Sequence, residues 1–158
     1  MNEQNNKNHD FHIINILLGK QKDVCITVQG TSMYPLLQEN DKAVIVQCES
    51  YDIGDIIVFD YGNQQLLIHR VLMKTSNRYI CKGDNAFGLE QICKDAIAGK
   101  VKSVIRGNVV LTLPVVDDDF IKRSIDVYRE FKRNNFNKEL TKKSKMYIDF
   151  ANKYLSNT

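Results

Sequence analysis

GDIIVFDYGNQQLLIHRVLMKTSNRYICKGDN, residues 54–85, is the stretch whose reading decides the fold. It holds three short runs rich in β-branched and aromatic residues, at 55–59, 66–72 and 78–81. The first follows Ile53-Gly54, the second follows the turn Tyr61-Gly62-Asn63, and the third ends at Gly83-Asp84-Asn85. Apolar runs this short, punctuated by Gly, Asn and Asp, read as strands joined by tight turns. In the second run, alternation places Leu67, His69 and Val71 on one face and Ile68 and Arg70 on the other.

The same pattern extends in both directions. Cys25-Ile26-Thr27-Val28 runs up to Gly30, and Ala43-Val44-Ile45-Val46 follows the turn Glu39-Asn40-Asp41. Downstream, Ala98-Gly99-Lys100-Val101 leads into Val104-Ile105, and Val109-Val110-Leu111 closes the series after Gly107-Asn108. These runs predict a mainly β unit, a barrel or sandwich of short strands, over residues 24–116. Before it, residues 1–9 read as a disordered polar lead. Phe11, Ile14, Leu17 and Leu18 have helical spacing, Gly19 is a stop, and residues 20–23 form a link, which gives a first segment of 1–23.

After Pro114 the β signal ends. Asp117-Asp118-Asp119 can cap and charge a helix start. Phe120, Ser124, Val127, Tyr128 and Phe131 lie on one helical face, Arg133-Asn134-Asn135-Phe136-Asn137 breaks it, and Tyr147, Phe150, Ala151 and Tyr154 make a second apolar stripe. Residues 117–158 are therefore expected to form an amphipathic helical extension that packs on the β unit, on a second copy of the chain or on a partner protein. They are expected to be dispensable for chemistry and to serve in docking.

Composition narrows the function. The chain is 43% hydrophobic and 26% charged, ordinary for a globular protein. A net charge of +3 gives no case for nucleic acid. All of that excess lies in residues 117–158, which hold ten Lys/Arg against seven Asp/Glu. Cys25, Cys48, Cys81 and Cys93 form no C-x-x-C pair, so no zinc or other metal site is expected, and no cofactor. Cys25, Cys48 and Cys81 stand in β-like apolar runs, where a free thiol packs as a small hydrophobe. The polar start MNEQNNKNHD shows no signal peptide, and the apolar stretch after it is too short to span a bilayer. The expected location is the cytoplasm, with reduced thiols.

Four local patterns occur in order: Gly30-Thr31-Ser32-Met33-Tyr34-Pro35, Gly54-Asp55-Ile56-Ile57-Val58-Phe59, Ile68-His69-Arg70-Val71 and Lys82-Gly83-Asp84-Asn85. A serine hydroxyl is a weak nucleophile until a base lies beside it. Of three histidines, His9 and His12 lie in or near the polar lead, and only His69 lies inside a strand-like run. Singly, Ser32 reads as a turn residue and His69 as a core residue.

Together, the four patterns resemble the signal peptidase I family and its relatives, which share a fold with LexA-type self-cleaving repressors. Ser-Met-x-Pro resembles the nucleophile box and Gly-Asp-x-x-x-Phe the following strand. His-Arg-Val resembles the base box in its histidine version, and Lys-Gly-Asp-Asn the last box. The resemblance covers roughly residues 24–106. It implies a serine endopeptidase in which Ser32 attacks a peptide carbonyl and His69 takes its proton, then passes it to the leaving amine. An ordinary imidazole titrates near pH ~6.5 and can act as a base at neutral pH. Such a base needs a group on its other ring nitrogen, for which Asp84 and Glu90 are both candidates.

Two departures from the family pattern stand out. Many bacterial members carry a serine two residues before the nucleophile, to complete the oxyanion hole; here that residue is Gly30. The hole then rests on the Ser32 N–H and on Thr31. The family's membrane anchor is also missing, which points to a soluble peptide or precursor substrate, such as the leader of a ribosomally made modified peptide. Met33, Tyr34 and Leu36 are candidates to line the substrate groove. The alternatives are signal-peptide cleavage at a membrane surface, with the basic helices resting on anionic lipid, a LexA-like regulator, and a non-catalytic peptide-binding module. Against the regulator, 23 residues before Val24 are too few for a helix-turn-helix.

Overall fold

A computed structural model describes residues 7–20, 23–62 and 65–156. The architecture is mainly β. Helix α1 (Lys7–Gly19) is followed by β1 (Val24–Thr27), β2 (Lys42–Val46), β3 (Ile56–Asp60), β4 (Leu66–Lys74), β5 (Arg78–Lys82), β6 (Glu90–Cys93), β7 (Ile97–Arg106) and β8 (Val109–Thr112). Then come α2 (Asp118–Arg133), α3 (Lys138–Lys142) and α4 (Lys145–Phe150), the last continued by a wider π-helical turn, Ala151–Leu155.

The eight strands form one curled, antiparallel sheet in the order β1-β2-β7-β3-β4-β5-β6. Strand β7 organises it. Its length lets β2 run along one side while β3 and β8 share the other. The two runs expected at 98–101 and 104–105 are thus one strand. β3 is buried along Ile56–Phe59 because the sheet is covered on both faces, as its unbroken apolar run requires. Ile56 and Val58 join a core with Ile14 and Leu18 of α1, while Ile57 and Phe59 join a second core with Val71, Tyr79 and Cys81.

The helices after β8 start where their capping residues stand. The Asp117 carboxylate accepts from the Phe120 N–H at 2.8 Å, and Lys132 and Arg133 close α2 at its negative end. Asn135 and Phe136 are left-handed (φ 53° and 58°), and there α2 stops. Asn137 and Ser144 cap α3 and α4. The two apolar stripes meet each other and the β unit. Phe120, Val127, Phe131 and Phe150 form one buried cluster with Phe87 of the β5–β6 loop, whose ring packs on Phe131 and Tyr147.

Three expectations change. Residues 7–9 open α1 rather than belonging to a disordered lead; residues 1–6, and Asn63 of the expected turn, lie outside the described residues. β6 had no signal in the sequence, because of its four residues only Ile92 is buried. Cys81 is buried and Cys48 lies half-buried beyond β2, but Cys25 is exposed on the outer side of edge strand β1, so it does not pack as a hydrophobe.

Candidate functional site

Ser32 sits on the loop between β1 and β2, and that loop is held at several points. The Val28 N–H donates to Asp41 O, and Asn40 N–H to Val28 O, which closes its neck. Gly30 turns the chain at φ +78°, a conformation that costs a side-chain-bearing residue free energy. Met33 and Leu37 then plug into the first core at 3% and 0% exposure. Arg106 grips Asp41 with two bonds, at 2.9 and 2.8 Å, and donates a third to Leu36 O. That guanidinium holds the Asp41 carboxyl below the usual carboxylate range.

His69 comes from the middle of β4, opposite Ile57 of β3, with its ring against Phe59. Its Nε2 lies 3.1 Å from Ser32 Oγ and its Nδ1 lies 2.8 Å from Glu90 Oε2. A carboxylate only accepts, so the Nδ1 proton belongs on the Glu90 side and Nε2 is left to accept from the serine hydroxyl. The imidazole is nearly buried and the carboxylate has 13% side-chain exposure. Three elements distant in sequence therefore converge on one hydrogen-bonded line, Ser32–His69–Glu90, an arrangement able to carry a proton.

Asp84, the other acidic candidate, does not face His69. It takes two bonds from Arg70, Nε to Oδ1 at 2.8 Å and Nη2 to Oδ2 at 2.7 Å. Arg70 Nη1 also donates to Gly54 O at 2.9 Å. The alternation along β4 explains the division: His69 points to one face and Arg70 to the other, each with its own carboxylate. Sequence reasoning had no role for Arg70, although a buried arginine beside a Gly-Asp turn is a signal for such a pair.

The turn after β5 touches the Ser32 loop directly. The Asn85 N–H donates to Ser32 O at 2.8 Å, and its side-chain amide donates to Thr31 O at 3.1 Å. The Asp84 N–H points at Met33 Sδ. Gly83 fits so closely that a Cβ there would sit 2.6 Å from Ser32 O and 3.0 Å from His69 Nε2. Thr31 is exposed beside Ser32. Among the groove candidates, Tyr34 and Leu36 are half-buried, but Met33 is core: its side chain anchors the loop and is not available to line a groove. Leu36 also lines a 530 Å³ cavity with Arg70, Asp84 and Phe120, beneath the segment from Leu113 to Asp117 and away from Ser32 and His69.

Among the described residues no helix is long and apolar enough to cross a membrane. A protein-family model described as Peptidase S24-like matches residues 1–110, which takes in α1 and the sheet up to the start of β8 and leaves α2 to α4 outside. No curated protein matches the chain.

Proposed function

The chain belongs to the Peptidase S24-like family, which contains serine peptidases and LexA-like repressors, and on that footing we propose that it is a serine endopeptidase working through Ser32, His69 and Glu90. The observation that carries the reading is the pair of bonds on His69, 3.1 Å to Ser32 Oγ and 2.8 Å to Glu90 Oε2. In this reading Ser32 Oγ adds to the substrate carbonyl carbon as its proton passes to His69 Nε2. Glu90 stabilises the imidazolium. His69 then gives the proton to the departing amine, and water repeats the sequence on the acyl-enzyme. The developing oxyanion is met by the Ser32 N–H and by Thr31, since Gly30 supplies no hydroxyl.

The substrate in this proposal is an extended segment of a peptide or precursor protein, a leader, pro- or signal peptide. Small residues such as Ala or Gly stand one and three positions before the cut, and Tyr34 and Leu36 border the groove. Mass spectrometry of a peptide library incubated with wild type and Ser32→Ala tests it. The expected result is cleavage after small residues by wild type, with Ser32→Ala slower by at least about 10⁴-fold and equally stable. Equal cleavage by both proteins would remove Ser32 from the mechanism.

A further inference from the structure

Lys82 is an unusual residue to find at the heart of this molecule. It ends β5, is fully buried at 0% exposure, and among the described residues has no carboxylate partner at bonding distance. Its ammonium donates to Gly83 O at 3.1 Å and to Ser124 Oγ at 3.1 Å, and it stands 5.6 Å from the centre of the Phe150 ring. Ser124, on α2, is itself 1% exposed. Burying an ammonium is costly unless its protons find acceptors, and here one of the two acceptors comes from a helix that lies beyond the family match at residue 110.

That contact lies one residue from the candidate site. Gly83, whose carbonyl Lys82 holds, is wedged against Ser32 O and His69 Nε2, and Asn85 bonds Ser32 O from the same turn. Two further contacts tie this region to the helices. Phe120 of α2 stacks under the Arg70 guanidinium at 5.1 Å, and Phe87 packs on Phe131 and Tyr147.

We propose that α2 is a positioning element for the Ser32–His69 pair, acting through the buried Ser124–Lys82 contact on the Gly83 turn. This rests on the peptidase reading for its catalytic meaning, but the contact itself can be tested without it. Lys82 and Ser124 are positioning residues: neither touches the reacting atoms. The desolvated ammonium, whose pKa is lowered to about 8 by burial, makes the arrangement sensitive to the loss of either acceptor.

Two measurements on the full chain test it. The first is the rate at which a fluorophosphonate labels Ser32, with Ser32→Ala as the blank. The second is amide hydrogen exchange at Asn85, with Val58 of β3 as an internal reference. Ser124→Ala is expected to slow labelling about tenfold, to speed exchange at Asn85 by a similar factor, and to leave Val58 unchanged. Lys82→Met should act at least as strongly, and the double variant should add nothing to it, since both changes cut one path. Unchanged exchange at Asn85 in Ser124→Ala overturns the inference, as does an unchanged labelling rate in a chain whose wild type labels. A wild type that takes no label, with Asn85 responding as expected, removes the peptidase reading and leaves the positioning contact standing.

Discussion

His69 and Arg70 are neighbours on one strand, both almost buried, and each is bonded to a carboxylate, yet they sit in opposite settings. The His69–Glu90 pair keeps a third partner, Ser32, on the free ring nitrogen. The Arg70–Asp84 pair is closed: two parallel bonds, a backbone carbonyl and the Phe120 face occupy the guanidinium. In the first pair Nε2 stays turned to the Ser32 hydroxyl, whereas the second ties β4 to the β5–β6 turn and to Gly54. A buried polar pair can do chemistry only where an acceptor or donor remains open beside a group able to react.

The largest expected effect separates the two carboxylates. Glu90→Gln should lower the peptidase rate by up to about 10⁴-fold while moving thermal stability little, because the amide no longer enforces the Nδ1–H tautomer. Asp84→Asn should do the opposite, costing stability more than rate. Thermal melts beside single-turnover rates check both; a Glu90→Gln protein with full activity would make Glu90 a spectator.

Next in size is the closed pair itself. Arg70→Met leaves the Asp84 carboxylate buried without its cation and should cost about 3–5 kcal/mol of stability, read by urea denaturation. A loss well under 1 kcal/mol would mean that water reaches Asp84 and the pair is not sealed.

The smallest effect concerns pH and Lys82. Burial lowers its pKa from the ordinary 10.5 to about 8, against the pull of Asp84 and Glu90. Between those two values the unfolded chain binds the proton that the folded chain has released, so this group's contribution to stability rises with pH there. Below about pH 8 both states are protonated and the burial cost is fully present. The stability of wild type relative to Lys82→Met should therefore improve from pH 7 to pH 9.5. A difference that stays constant would place the ammonium in contact with water.

Much of this was legible in the residues. Alternation at 66–72 correctly assigned His69 and Arg70 to opposite faces, and the triple aspartate before Phe120 marked the start of α2. The strand at Glu90–Cys93 was not legible, because an edge strand with one buried side chain has almost no hydrophobic pattern. That omission is also why Asp84 and Glu90 could not be separated. Met33 stood as a groove candidate for a related reason: an apolar side chain beside Ser32 fits a groove or an anchor equally well until the core beneath it is known.

The sequence by itself determined the strands other than β6 and the capped helices after Pro114, which depend on local propensity, period and spacing written along the chain. Ser32 and His69 as the pair to examine came from the resemblance that the four motifs carry in their order. Only the tertiary structure decided which acid meets His69, that Arg70 consumes Asp84, and that Ser124 reaches Lys82. Glu90 lies opposite Cys81 because β6 pairs with β5 in one register, and a slip of a single residue would turn its carboxylate to the other face. Register is settled by packing between segments far apart in the chain, and no window of residues contains it.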